Sequence, residues 1–162
     1  MNFFDVVGKR FSCRNFSDEK VTDNDLSRIL DAGMMAPVGR GKYEDVHITV
    51  IRNKSLLDEI SKLSDKSLFY NADILIIISS HDDGFGLGDQ NCGCVAENML
   101  LAASALGLGS IYLNLVIGFI KNNEDILNKL NLPEGFTPVV GVGIGHFKEE
   151  LIKTHKIDVN YI

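Results

Sequence analysis

Helices interspersed with strands along these 162 residues predict an α/β or α+β domain. Three stretches carry that prediction. Ala72 to Ser80 (ADILIIISS) is a near-continuous apolar run, the mark of a strand buried on both faces. Val46 to Arg52 (VHITVIR) is rich in β-branched residues and reads as a second strand. From Asp89 to about Leu106 runs a helix on which Cys92, Val95, Ala96, Met99, Leu100, Leu101, Ala102, Ala103 and Leu106 reach nearly all the way round. Glu97 and Asn98 are its main polar breaks. A helix apolar on every side must be covered on every side. In a chain this short, part of that cover is expected from a second subunit.

The remaining elements follow in order. Residues 2–8 read as a short helix. Thr22 and Asp25 make a capping pair for a second helix, whose face carries Leu26, Ile29, Leu30 and Gly33. Pro37 cannot continue it, so a loop follows. Leu56, Leu57, Ile60 and Leu63 mark a helix with Lys54, Asp58, Glu59 and Lys62 on its wet side. The Gly-rich stretch HDDGFGLG is a loop, after which Asp89 is read as the cap of the long helix. Gly107 ends that helix, and Ser110 to Val116 returns as a strand. Asp125 to Leu130 is a helix, a Leu-Pro-Glu-Gly turn follows, and Pro138 to Phe147 is the last core strand. The final segment is polar with an apolar end, VNYI.

Length and composition bound what such a chain does. At 45% hydrophobic and 23% charged, residues 1–162 fit a single domain with a real core. The opening MNFFDVVGKRF has no apolar stretch behind a basic head, so no secretory signal is read there. The longest apolar runs fall short of the roughly 18 residues of a membrane span, which points to a cytoplasmic protein without a membrane partner. A net charge of −6 disfavours nucleic acid. Cys13, Cys92 and Cys94 are an odd set, and Cys92-Gly93-Cys94 is one residue short of the common redox spacing. They read as structural thiols, with a redox-sensing pair as the alternative. His47, His81, His146 and His155 show no metal spacing and read as structural or solvated. No serine sits in a nucleophile elbow, so a hydrolase has no support. Gly141-Val142-Gly143-Ile144-Gly145 and Gly107-Leu108-Gly109 lack the strand-then-helix context of a dinucleotide fingerprint and read as close-packing or turn glycines.

One short segment runs against the acidic balance. In Lys9-Arg10-Phe11-Ser12-Cys13-Arg14, an extended backbone puts Arg10, Ser12 and Arg14 on one side and Phe11 and Cys13 on the other. Two guanidinium forks and a hydroxyl converging on one point make a phosphate receptor. The same spacing also serves two surface arginines in ordinary salt bridges.

The stretch RFSCRNFSDEKVTDNDLSRILDAGMMAP resembles the opening of the nitroreductase-like FMN oxidoreductases, with their Arg-x-Ser-x-Arg-x-Phe segment, acidic helix and Ala-Pro ending. The resemblance continues through Glu97-Asn98-Met99-Leu100-Leu101-Ala102-Ala103 and Ala105 to Gly109, and resumes in LNLPEGFTPVVGVGIGHF. It implies an α+β fold, a central mixed β-sheet flanked by helices, in an interlocked homodimer with FMN at the interface. It implies that Arg10, Ser12 and Arg14, with Phe11 among them, hold the FMN phosphate and ribityl chain. The end of the Gly-rich strand approaches that phosphate in the family, which makes Gly145, His146 and Lys148 further candidates; Lys148 reads equally as a plain surface lysine.

The implied activity is transfer of two electrons from NAD(P)H to a small acceptor such as a nitroaromatic or quinone by a ping-pong mechanism, with no catalytic acid or base in the chain. One departure opens an alternative. After Ala36-Pro37 the family has Ser, Asn and Gln reaching the flavin ring, whereas this chain has Val38, Gly41 and Tyr43 at those positions. Pro37, Val38, Gly39, Arg40 and Gly41 remain candidates, through glycine amides or the Arg40 charge. A flavin-binding or flavin-sensing module without turnover is the competing reading.

Overall fold

The computed structural model describes residues 2–81, 84–151 and 154–162. Its organising element is β2 (Ile74–His81), buried along almost its whole length. Ile74, Ile76 and Ile78 enter one core cluster while Leu75 and Ile77 enter another on the opposite face. A strand with no wet side needs an unbroken apolar run, and each fully buried Ile or Leu stabilises the fold by roughly 1.5–3 kcal/mol. β1 (Val46–Ile51), β4 (Phe136–Gly145) and β3 (Gly109–Leu113) complete a four-stranded sheet in the order β1-β2-β4-β3. All three ladders are antiparallel, which corrects the mixed sheet expected above. Among the described residues, parallel pairing is confined to the single bridge Ser12–Ser110.

Helices cover both faces, so the architecture is α+β in three layers. On one side lie α2 (Asp23–Met34) and α4 (Gly88–Ala105), with Ile29, Cys92, Val95, Met99, Leu100 and Ala103 in that core. On the other lie α3 (Lys54–Ser61), α5 (Leu115–Lys121) and α6 (Glu124–Leu130), contributing Ile60, Val116, Ile117, Ile120, Ile126 and Leu130. The short α1 (Phe3–Lys9) packs against α4, where the buried Ser104 hydroxyl donates to the Val6 carbonyl at 3.0 Å.

The caps explain most boundaries. Thr22 caps α2 through the Asp25 amide, as its spacing predicts. At the end of α4, Gly107 adopts φ +75°, its amide donating to Ser104 and that of Leu108 to Ala103, a Schellman ending that needs glycine. Two expectations are corrected. Asp89 lies in the first turn of α4 rather than at its cap, which is Leu87. The strand expected over Ser110–Val116 stops at Leu113, and Leu115–Lys121 is helical. That helix forms despite its β-branched sequence because Val116, Ile117 and Ile120 fall on one buried face.

The glycines of β4 are close-packing glycines. A Cβ on Gly143 would lie 3.0 Å from Ile111 Cγ2, and one on Gly145 would lie 2.9 Å from Phe16 Cδ1. Gly109 similarly admits Cys13, whose Sγ would be 3.0 Å from an added Cβ. The basic segment is thereby seated on the sheet edge, with Cys13 N–H donating to Ser110 O at 2.9 Å and Ser17 N–H to His146 O at 2.8 Å.

Candidate functional site

Seating the segment on β3 sorts its side chains. Cys13 is buried and Phe11 packs edge-on against Phe147 at 5.4 Å between ring centroids. Arg10, Phe11, Ser12 and Arg14 come together in one cavity of about 200 Å³, which Leu151 and His155 also line. The two arginines keep donors to spare. Arg10 Nε lies 4.0 Å from Glu97 Oε1, a partly exposed pair of small worth. Arg14 makes a long 3.5 Å hydrogen bond to Ser12 O and lies over the Tyr70 ring at 5.7 Å. Each guanidinium has five N–H groups, so both remain able to grip an anion.

The candidates at the end of β4 fall beside this cavity and do not line it. Gly145 is buried against Phe16. His146 Nδ1 faces Glu19 at 3.6 Å, and the Lys148 amide donates to Asn15 O at 3.0 Å. These residues fasten residues 15–17 to the sheet, and Phe147 braces Phe11.

The loop after α2 forms a second, separate part. Val38 and Tyr43, with Gly33, Met34, Val46, His47, Ile48 and Val95, line an apolar cavity of about 440 Å³. Pro37 is exposed and Val38 is buried. The Gly39 amide, expected to be open to a ligand, donates to Asn91 Oδ1 at 2.8 Å, and the Gly41 amide donates to Val38 O at 3.0 Å. Those two amides hold the loop in shape. Arg40, at φ +59°, stacks its guanidinium over Phe85 at 4.1 Å. Asn91 escaped the sequence reading because its partner lies far back in the chain, and only a polar residue on an otherwise apolar helix turn hinted at it. Asn98 does the same work for α2, its amide donating to Ala32 O at 2.9 Å.

The cysteines do not form a pair. Cys92 is buried, and burial, with the Asp89 charge second, pushes its thiol up to about 12. Cys94, two residues on, is exposed, and residues so spaced do not share a helix face. Burial also raises the Cys13 thiol. Among the described residues no group of His, Cys, Asp and Glu could hold a metal ion, and no helix is long and apolar enough to cross a membrane.

Fold and site together define an α+β protein with two arginines and a serine lining a cavity at the sheet edge and a hydrogen-bonded loop beside an apolar cavity. The Nitroreductase family model matches residues 7–68 and 60–146, and the chain belongs to that family. A protein of Archaeoglobus fulgidus named as an NADH dehydrogenase/NAD(P)H nitroreductase is 30% identical over 150 residues, 90% of this chain and 85% of its own. An FMN reductase [NAD(P)H] of Bacillus subtilis is 27% identical over 157 residues, 83% of this chain and 61% of its own. The structure of a nitroreductase with bound FMN from Desulfitobacterium hafniense superposes with a TM-score of 0.88 at 25% identity, covering 100% of this chain and 99% of that one. Its counterpart from Bacteroides fragilis, also with bound FMN, gives 0.86 at 25% identity, covering 100% and 97%.

Proposed function

We propose that the chain is an FMN-dependent oxidoreductase that passes two electrons from NAD(P)H to a small acceptor. The observation that carries this reading is the convergence of Arg10, Ser12 and Arg14 on one cavity with donors unspent. Those residues fit the phosphate end of FMN: a planar fork on each side and a hydroxyl between them match a tetrahedral anion. When bound, FMN supplies the chemistry of accepting hydride and passing the electrons on.

The protein's own part is to bind and orient. Arg10 and Arg14 neutralise the phosphate, and Phe11, braced by Phe147, stiffens the segment that carries them. The loop from Pro37 to Gly41 presents Arg40 as a fixed cation whose charge favours an electron-rich ligand nearby. Gly145, His146 and Lys148 act by seating the segment. No side chain has to donate or take a proton in this account.

We further infer a homodimer, in which the loop of one subunit meets the anion receptor of the other. Support comes from the separation of the two parts into different cavities of one chain. Phe3 and Phe4, in edge contact with each other, are exposed, and so are Met35 and the tail residues Ile157 and Tyr161. Light scattering is expected to give twice the 17.9 kDa chain mass, and a monomer at micromolar concentration would reject the pairing.

Turnover is the test of the activity. Flavin-loaded protein is expected to oxidise NADH or NADPH steadily with a quinone or nitroaromatic, giving parallel double-reciprocal lines. Bound flavin that no nicotinamide reduces would instead favour a storage or sensing module.

A further inference from the structure

The anion cavity is completed from the far end of the chain. Leu151 and His155 of the C-terminal tail line it together with Arg10, Phe11, Ser12 and Arg14. We propose that His155 is the third cationic donor of the phosphate receptor and that its proton makes FMN binding pH-dependent. The proposal rests on the flavin reading above.

Arginine charge is fixed, so Arg10 and Arg14 grip an anion equally at any ordinary pH. An imidazole is different, because it is the side chain whose charge ordinarily changes between about pH 5 and 8. His155 is exposed. Among the described residues, the charged groups that line the cavity with it are Arg10 and Arg14; Glu97 of α4 lies beyond Arg10, and Lys156 follows in the chain. Among the described residues, no carboxylate lines the cavity. An imidazolium there therefore has no anionic partner in the lining until a phosphate enters.

Protonation and phosphate binding then reinforce each other, and the coupling is reciprocal. The sign follows directly. Phosphate binds the protonated imidazole better, so His155's contribution is full at low pH and is lost as pH rises. The phosphate's own second ionisation, near pH 6, works the other way. Comparing variants at each pH removes that common part, and riboflavin, which has no phosphate, removes both.

The experiment titrates the full chain with FMN and with riboflavin by flavin fluorescence, at about pH 6 and about pH 8, on either side of the imidazole range. Wild type is compared with His155→Gln and His155→Lys, changes on an exposed tail residue. Calorimetry in two buffers of different ionisation enthalpy counts the protons taken up. Between the two pH values the wild type is expected to lose about tenfold more FMN affinity than His155→Gln, the worth of one charge-assisted hydrogen bond. It should also take up more protons on binding FMN than that variant. His155→Lys should match the wild type at about pH 6 and keep the same advantage over His155→Gln at about pH 8, and riboflavin should bind all three weakly and alike.

A His155→Gln profile that tracks the wild type, while FMN still outbinds riboflavin, would remove His155 from the receptor and leave the flavin reading standing. Equal binding of FMN and riboflavin by the wild type, or binding of neither, would overturn the receptor itself and the proposal with it.

Discussion

At the residue scale, the clearest consequences come from groups whose surroundings fix their chemistry. Cys92 keeps its proton in the folded protein up to about pH 12, whereas an unfolded thiol ionises near 9.0. Between those values the unfolded chain binds fewer protons than the folded one, so stability falls as pH rises through that window. Replacing Cys92 with Ala should flatten the decline by up to about 1.4 kcal/mol per pH unit, read from urea midpoints between pH 9 and 11. An unchanged slope would mean the thiol is less enclosed than its burial indicates. The same burial keeps Cys92 from acting as a redox partner of Cys94, which lies on another side of the helix. The alternation of Arg10, Ser12 and Arg14 with Phe11 and Cys13 was legible, because period two needs only sequence. The pairing of Asn91 with Gly39 was not, because it joins residues 52 apart.

At the element scale, β2 and α4 were legible because their apolar runs are long and have one physical interpretation. The helix Leu115–Lys121 was not, since LVIGFIK carries strand propensity and only packing against the sheet decides for helix. Its neighbour Gly141, where an added Cβ would lie 3.1 Å from Val116 Cγ1, shows how closely that helix approaches β4. Glycine substitutions separate packing from propensity. Gly143→Ala would force a methyl to 3.0 Å from Ile111 and 3.2 Å from Ala72, and should destabilise by about 1–3 kcal/mol. Gly118→Ala, in the exposed interior of α5 with nothing within 4 Å of the new Cβ, should stabilise by about 1 kcal/mol. Denaturant midpoints moving the same way for both would contradict the close-packing account of β4.

At the scale of the whole molecule, the sheet carries the Arg10–Arg14 segment on the β3 edge, while the loop after α2 sits over β1 and α4. The family resemblance singled out Arg10, Ser12 and Arg14, and the fold brings them to one cavity: Gly109 and the Ser110 carbonyl fix the segment's register. What the sequence left open was the loop. Its glycine amides looked free for a ligand, yet Asn91 and the Val38 carbonyl occupy two of them, and Arg40 rests on Phe85. The loop is therefore left with few free polar groups, and the proposed hold on FMN rests on Arg10, Ser12 and Arg14. The most direct measurement is the visible absorbance spectrum of purified protein with added FMN, beside the Arg10→Ala, Arg14→Ala double variant. The account predicts a bound-flavin spectrum in the wild type that is lost in the folded variant. No bound flavin in the wild type, or a spectrum undiminished in the variant, would contradict it.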